Sequence, residues 1–343
     1  MRRPGVASSA GWHAGLAAAA AAALLLCVCL GSVNVPLGQT LEALWHGVTG
    51  QAQPDPQAGA IIWSVRFPRV LCVALVGASL ALCGAAMQGL LRNPLADGST
   101  LGVSSGAALG AVAAIALGFE VPGLPYAGVM IMAMASAFLS LLLILGLTYR
   151  LDRSLATHTI ILMGVVYSMF AQSIISFIIV FSGERIRSIT FWTMGSLAQG
   201  SYRSAGLLLA ALGLAAAVLL RHARELDAFA LGEEKALHVG IRVKRVKMAL
   251  MVSVACLTGV CVAIGGSIGF VGLVVPQMAR RLLGPAHGRL LPACLLSGAV
   301  FLLLAELAGR VALRPLELPV GVVTSFAGSI VFVLIFFGTR KTG

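Results

Sequence analysis

Apolar residues in this chain run on without alternating, and polar positions break them only at intervals of about a helix length. Continuous runs rich in Ala and Leu predict helices, because strands of a membrane barrel would show a period of two. Each crossing needs about 20 such residues, and the runs fall at 14–33, 63–86, 99–117, 126–149, 158–181, 203–220, 246–264, 268–280, 290–309 and 316–338. The predicted fold class is an all-α integral membrane protein of about ten transmembrane helices, with residues 1–343 forming a single transmembrane domain. Two polar breaks are long: 34–62, read as an outer loop, and 221–247, read as the largest cytoplasmic element.

Composition agrees with the pattern. Only 10% of residues are charged and 59% are apolar, against about 25% and 45–50% in soluble domains, so this chain cannot make a water-facing surface. Its net charge of +12 could point to nucleic acid, but in a membrane protein the placement of Lys and Arg is first a topology signal. With the N-terminus cytoplasmic, seventeen of the 24 basic residues lie inside, from Arg2 and Arg3 through Arg150, Arg221, Lys247 and Arg280 to Lys341. Outside remain Arg66, Arg69, Arg185, Arg187, Arg203, Arg310 and Arg314, which favours both termini in the cytoplasm. The first run resembles a signal peptide in following Arg2 and Arg3, and its length of about 20 residues favours an uncleaved span over a mature start near Ser32. All seven cysteines (Cys27, Cys29, Cys72, Cys83, Cys256, Cys261, Cys294) fall in apolar runs without C-x-x-C spacing and read as small core residues, with no metal site.

Gly77, Gly84, Pro94 and Gly102 recur 182 positions later as Gly259, Gly266, Pro276 and Gly284. Five crossings separate the copies, so spans 2–5 and 7–10 are expected to form an inverted repeat, a common transporter plan whose path lies where the halves meet. The alternative is that small and kinking residues are simply frequent in membrane helices. Gly98, Gly102, Gly106 and Gly110 are spaced by four and predict a helix-packing face or a pore wall on the third span. Two G-x-S-x-G matches, Gly102–Gly106 and Gly265–Gly269, superficially resemble a hydrolase elbow. They follow no strand and have no His and Asp pair placed to serve them, so no catalytic residue is assigned.

Arg66 and Arg69 are three apart, and so on one helical face, at the outer end of the second span, against the charge asymmetry. They either meet an external partner or snorkel to headgroups, and Glu306 four residues before Arg310 can form an intrahelical ion pair. Between Arg221 and Lys247, Asp227 can cap a short helix. Gly232 and Gly240 bracket Glu233 to Val239, whose Ala236 and Leu237 suggest a small apolar stripe. Docking to a soluble partner and attraction to anionic lipid both fit this loop. No G-x-x-x-x-G-K-[ST] loop occurs, and no span carries an acidic residue near its middle for an ion relay. Energy for any transport must then come from another chain.

Several motifs in order then carry a family resemblance: Arg66-Phe-Pro-Arg69, Gly84-Ala-Ala-Met-Gln-Gly-Leu-Leu-Arg-Asn-Pro-Leu-Ala96, Leu101-Gly-Val-Ser-Ser-Gly-Ala107, Phe191-Trp-Thr-Met-Gly-Ser-Leu197, Gly269-Phe-Val-Gly-Leu-Val-Val-Pro276 and Glu317-Leu-Pro-Val-Gly321. From about Val35 to Gly338 the chain closely resembles the FecCD permease family, BtuC-like membrane subunits of type II ABC importers for ferric siderophores, haem and vitamin B12. It departs from the family at Gln277, where many members have His, at Gly98, a usual Pro, and at Gly328-Ser-Ile-Val-Phe332, which lacks a common proline.

The resemblance implies a ten-helix permease in the cytoplasmic (inner) membrane, paired with a second permease copy, two cytoplasmic ATPase subunits and one substrate-binding protein. ATP and Mg would be bound by those ATPases, with no cofactor in this chain. By the same resemblance Arg66, Arg69 and Arg310 dock the binding protein, and the segment holding Leu231, Gly232, Glu233, Glu234, Ala236, Leu237 and Gly240 couples to the ATPase. The fifth and tenth spans line the path, where the fifth offers Gln172, Ser173 and Ser176. A ferric siderophore is the first expectation for cargo, with haem and vitamin B12 as the other chelates. A stand-alone secondary transporter and a membrane-embedded hydrolase are the rival classes.

Overall fold

The computed structural model describes residues 6–31, 35–122, 127–153 and 156–340, with side chains from residue 11 and without those of 336 and 338–340. Arg2, Arg3, Ser32, Asn34 and Lys341, which entered the topology and outer-loop readings, lie outside the described residues. The chain forms α1 (Val6–Cys29), α2 (Leu37–Thr49), α3 (Pro56–Ala60), a π turn (Ile61–Arg66), α4 (Phe67–Leu90), a 3₁₀ turn (Gly98–Leu101), α5 (Val103–Leu117), α6 (Ala127–Leu151) and α7 (Thr157–Phe181). A second 3₁₀ turn (Gly183–Arg185) leads to α8 (Ile186–Thr193), α9 (Tyr202–Arg221), α10 (Ala223–Ala230), α11 (Glu233–His238), α12 (Val243–Gly265), α13 (Val271–Leu283), α14 (His287–Val311) and α15 (Val320–Arg340).

Each of the ten predicted spans holds a helix. Seven are long and apolar enough to cross a bilayer: α1, the continuous Pro56–Leu90 rod, α6, α7, α9, α12 and α14. Shorter apolar helices occupy Val103–Leu117 and Val320–Ile335, and α13 carries Gln277, Arg280 and Arg281. A run of apolar residues marks these helices, while α2, α8 and α10 are polar or short enough to have given no span signal.

Packing follows the small residues. A membrane-helix interface lacks a hydrophobic drive and depends on close backbone approach, and α4 supplies it. Gly77 faces the backbone of Gly298 on α14, and Gly84 faces the backbone of Gly272 on α13. α4 is accordingly buried on nearly all sides, against α13, α14, α12 and α9. The other half mirrors this exchange: α12 packs on α5 and α6, with Gly259 against Ala137 and Val103. The first long helix of each half thus inserts between the next two helices of the other.

The two-half plan lies in this helix order and not in the matched quartet. Pro94 is in the turn after α4, whereas Pro276 is inside α13; Gly102 opens α5, whereas Gly284 closes α13. The halves have unequal turn lengths, so one sequence offset cannot keep equivalent positions aligned.

Both end helices of the halves are barely enclosed. α7 rests mainly on α5 and α6, and α15 on α13 and α14, leaving Phe170, Phe177, Val180 and Phe181 on α7 and Phe326, Leu334 and Phe337 on α15 exposed. Five cysteines are buried as expected, but Cys29 is half-buried and Cys256 exposed; all seven are free thiols.

Candidate functional site

At the start of α4 three arginines are drawn into one charged cluster. Glu306 of α14 divides its carboxylate between two of them, 2.7 Å from Arg69 Nε and 2.7 Å from Arg310, one helical turn away. These are close charge contacts, not aligned hydrogen bonds. Arg69 also reaches Glu317 at 2.9 Å, and Arg310 donates to the Cys27 carbonyl at 3.1 Å. The intrahelical pair expected from the spacing of Glu306 and Arg310 is present.

Arg66 and Arg69 lie three apart on one continuous helix, and their side chains reach different partners. Arg66 closes the π turn, and it donates to the carbonyls of Val28 and Cys29 at 3.0 and 3.2 Å. Those carbonyls end α1 and lack helical partners. Arg66 and Arg310 are buried and Arg69 nearly so, so the cluster is held by internal acids and carbonyls. Glu317 was legible only as part of a motif; its pairing with Arg69 needed the segment after α14 to be placed beside the start of α4.

Three of the quoted motifs meet in one place. Gly195, after α8, and Gly266, after α12, are both left-handed at φ 74° and 69°, and Gly321 opens α15. A side chain on Gly195 would strike the Ser267 carbonyl, one on Gly266 the Trp192 carbonyl, and one on Gly321 the carbonyls of Met194 and Ser267. Backbone bonds close the junction, Ser196 N to Gly265 O at 2.8 Å and Gly321 N to Gly195 O at 3.3 Å. The unwound segment between α12 and α13 is thereby tied to the segment before α9 and to the start of α15. Gly328 of α15 admits Phe270, which itself has a positive φ. This contact occupies the stretch where the family's proline is absent.

The predicted coupling segment folds as a hairpin of α10 and α11. Gly232 and Gly240 flank α11 with φ of 117° and 83°, the left-handed geometry for which glycine is suited. Ala236 is fully buried and Leu237 is 58% exposed, so the two do not form one stripe. Consecutive residues on a helix point about 100° apart. The outward apolar surface is instead Leu231, Leu237 and Val239, with Glu234 beside it. Glu233 turns inward to Lys247 at 2.6 Å and accepts from Thr157 Oγ at 3.0 Å, linking α11 to the first residues of α7 and to α12.

Asp227 is not a cap of its own helix. It lies within α10, and its carboxylate accepts the backbone N–H of His287 at 2.8 Å and meets the His287 ring at 2.6 Å, capping α14 from outside. Sequence separation hid both this pair and Glu233–Lys247.

On α7, Gln172, Ser173 and Ser176 are exposed on the bare face of the helix, where Ser173 donates back to the Met169 carbonyl. The glycine series is only partly a helix face. Gly106 and Gly110 pack α5 on Ser140 and Ser136 of α6, but Gly98 is in the 3₁₀ turn against Thr258 and Gly102 is left-handed, bringing that turn onto Gly164 of α7. The break at Gly102 rotates the first two residues away. Gln277 joins a polar knot, donating to Gln88 Oε1 at 3.0 Å, while Gln88 donates to the Gly272 carbonyl at 3.1 Å.

Residues 19–337 match the FecCD transport family. The chain belongs to that family. An ABC transporter permease of Bacillus subtilis, YvrB, is 38% identical over 93% of this chain and 91% of its own length. The vitamin B12 import system permease BtuC of Klebsiella pneumoniae is 35% identical over 97% and 95%. A solved structure described as an inward-facing conformation of a metal-chelate type ABC transporter superposes with a TM-score of 0.84 at 28% identity, covering 95% of this chain and 98% of that one. The chain is thus an ABC transporter permease, a transport component that is not itself an enzyme.

Proposed function

We propose that this chain is the membrane subunit of an importer for a metal chelate, a ferric siderophore first, with haem or vitamin B12 as the other cargoes. It crosses the bilayer ten times in an inverted repeat with both termini cytoplasmic, in the cytoplasmic (inner) membrane. It works as a homodimer above two ATPase subunits and below one binding protein, and the ATPases hold ATP and Mg. The observation that carries the reading is α4. It is 24 residues long, about 36 Å at 1.5 Å per residue, enough to cross the about 30 Å hydrocarbon core. It begins at the arginine cluster, and Arg92 just beyond its other end approaches Gly232 of the coupling hairpin to 3.9 Å from a side-chain position there.

The binding protein's carboxylates compete with Glu306 and Glu317 for Arg69 and Arg310, and with the carbonyls at the end of α1 for Arg66. The ATPase grips Leu231, Leu237 and Val239, while Gly232, Glu234 and Gly240 shape that edge and Ala236 holds it to the bundle. Glu233 passes its movement to α7, whose Gln172, Ser173 and Ser176 line the path opposite α15 of either copy. The deciding experiment reconstitutes the chain with its ATPases and binding protein and measures uptake of ferric siderophores, haem and cobalamin. Uptake is expected only with ATP hydrolysis and the binding protein. Uptake driven by an ion gradient without the ATPases would make it a secondary transporter, and fluorophosphonate labelling of Ser104 or Ser267 would indicate a hydrolase.

A further inference from the structure

We propose that α2 is an interfacial anchor, lying along the membrane surface with one face in the lipid headgroup and upper acyl region. At 13 residues it is about 20 Å long, too short for the about 30 Å core, and Gly50 ends it in a left-handed cap. Placed at 100° per residue, its side chains divide into three sectors. Thr40, Ala43 and Gly47 face the protein: Thr40 and Ala43 are buried, and Gly47 makes room for the Trp63 ring. Leu37, Leu41, Trp45 and Val48 fall within one 80° arc and are 61%, 53%, 65% and 76% exposed. Gln39, Glu42, His46 and Thr49 fill the remaining sector.

An amphipathic helix on a soluble protein needs two sectors, one for the core and one for water. A third sector, apolar and exposed, suits a helix lying where protein, lipid and water meet, with one face turned to each. α1, which contacts α2, is itself bare toward its C-terminal end, where Leu25 and Leu26 are exposed, as is Leu30 just beyond it. The apolar arc of α2 contains no charged residue, and its tryptophan is a residue type enriched at membrane–water boundaries.

The anchor has a mechanical consequence. The Ala43 carbonyl on the back of α2 accepts from Trp63 Nε1 at 3.0 Å and from Gln53 Nε2 at 3.2 Å. Trp63 is in the π turn that ends at Arg66, so the depth at which lipid holds α2 sets the depth of that turn.

The test uses the full chain in phosphatidylcholine vesicles and takes the Trp45 signal as the difference between the parent and the Trp45→Phe variant. Acyl chains brominated near the headgroup are expected to quench that component about twofold or more, and bromine near the chain terminus to quench it less, as for a helix seated at the interface. Iodide on both sides of the bilayer is expected to leave it largely unquenched. Leu41→Ser with Val48→Ser should weaken the lipid quenching while Trp63 emission is kept. Quenching by iodide and not by brominated lipid would place α2 in water. Protection from both would mean that a second copy covers it. Either result overturns the proposal.

Discussion

Replacing Glu306 by Gln removes one negative charge and almost no volume from the arginine cluster. The carboxylate side chain is 3% exposed and its partners Arg69 and Arg310 are 13% and 2% exposed, so water cannot neutralise what the acid leaves behind. Removing one partner of a buried pair costs about 3–5 kcal/mol. Glu317→Gln is the matched comparison, since it meets the same Arg69 but is 28% exposed. Solvent screening there reduces the expected cost to about 0.2–1 kcal/mol. The assay is the fraction of monodisperse protein remaining after heating in detergent, read as a midpoint for each variant. Glu306→Gln should lower the midpoint far more than Glu317→Gln, and a triple change of Arg69, Glu306 and Arg310 to apolar residues should recover much of the loss, because no unpaired charge remains. Equal midpoints for the two single variants would refute the claim that burial makes Glu306 the keystone. In binding assays Glu317→Gln should tighten the binding protein by up to about fivefold, the value of about 1 kcal/mol for an internal competitor at Arg69.

Other expectations concern the packing and the hairpin. Gly84→Ala should cost about 1–3 kcal/mol, because its methyl would meet the backbone of Gly272; Gly146→Ala on α6, where the same methyl meets open space, should be close to neutral in the same heating assay. Leu237→Asp should abolish ATP-driven uptake while changing stability by no more than about 0.5 kcal/mol, as for an exposed position, so that its heating midpoint stays near the parent's. Glu233→Gln should instead lower the midpoint, since it removes the negative charge that faces the buried Lys247 at 2.6 Å. A Leu237 variant with full uptake would remove the outward face of α11 from the coupling role.

Much of the site was visible before any helix was placed. Gly232 and Gly240 marked the ends of α11 because their positive φ suits glycine, and Glu306 lay one turn from Arg310. What stayed hidden had partners far apart in the chain. Arg69 needs Glu306 and Glu317, Glu233 needs Lys247, and Asp227 needs His287. Arg66 and Arg69 also reach different partners, Arg66 the carbonyls at the end of α1 and Arg69 the two acids, which their spacing of three did not signal.

Read alone, the chain was sufficient for the helical class, the place of every long helix and the family. The first two follow from length and hydrophobicity, because a bilayer forces each apolar run of about 20 residues to satisfy its own backbone; the family follows from motifs whose order and spacing are local to the chain. Only the tertiary structure decided which faces meet. Helices that are apolar all round carry no stripe to say which side is buried. Close contacts at Gly77, Gly84 and Gly259 make that choice, and it is what sets the exchange between halves and gathers the charged residues into the arginine cluster.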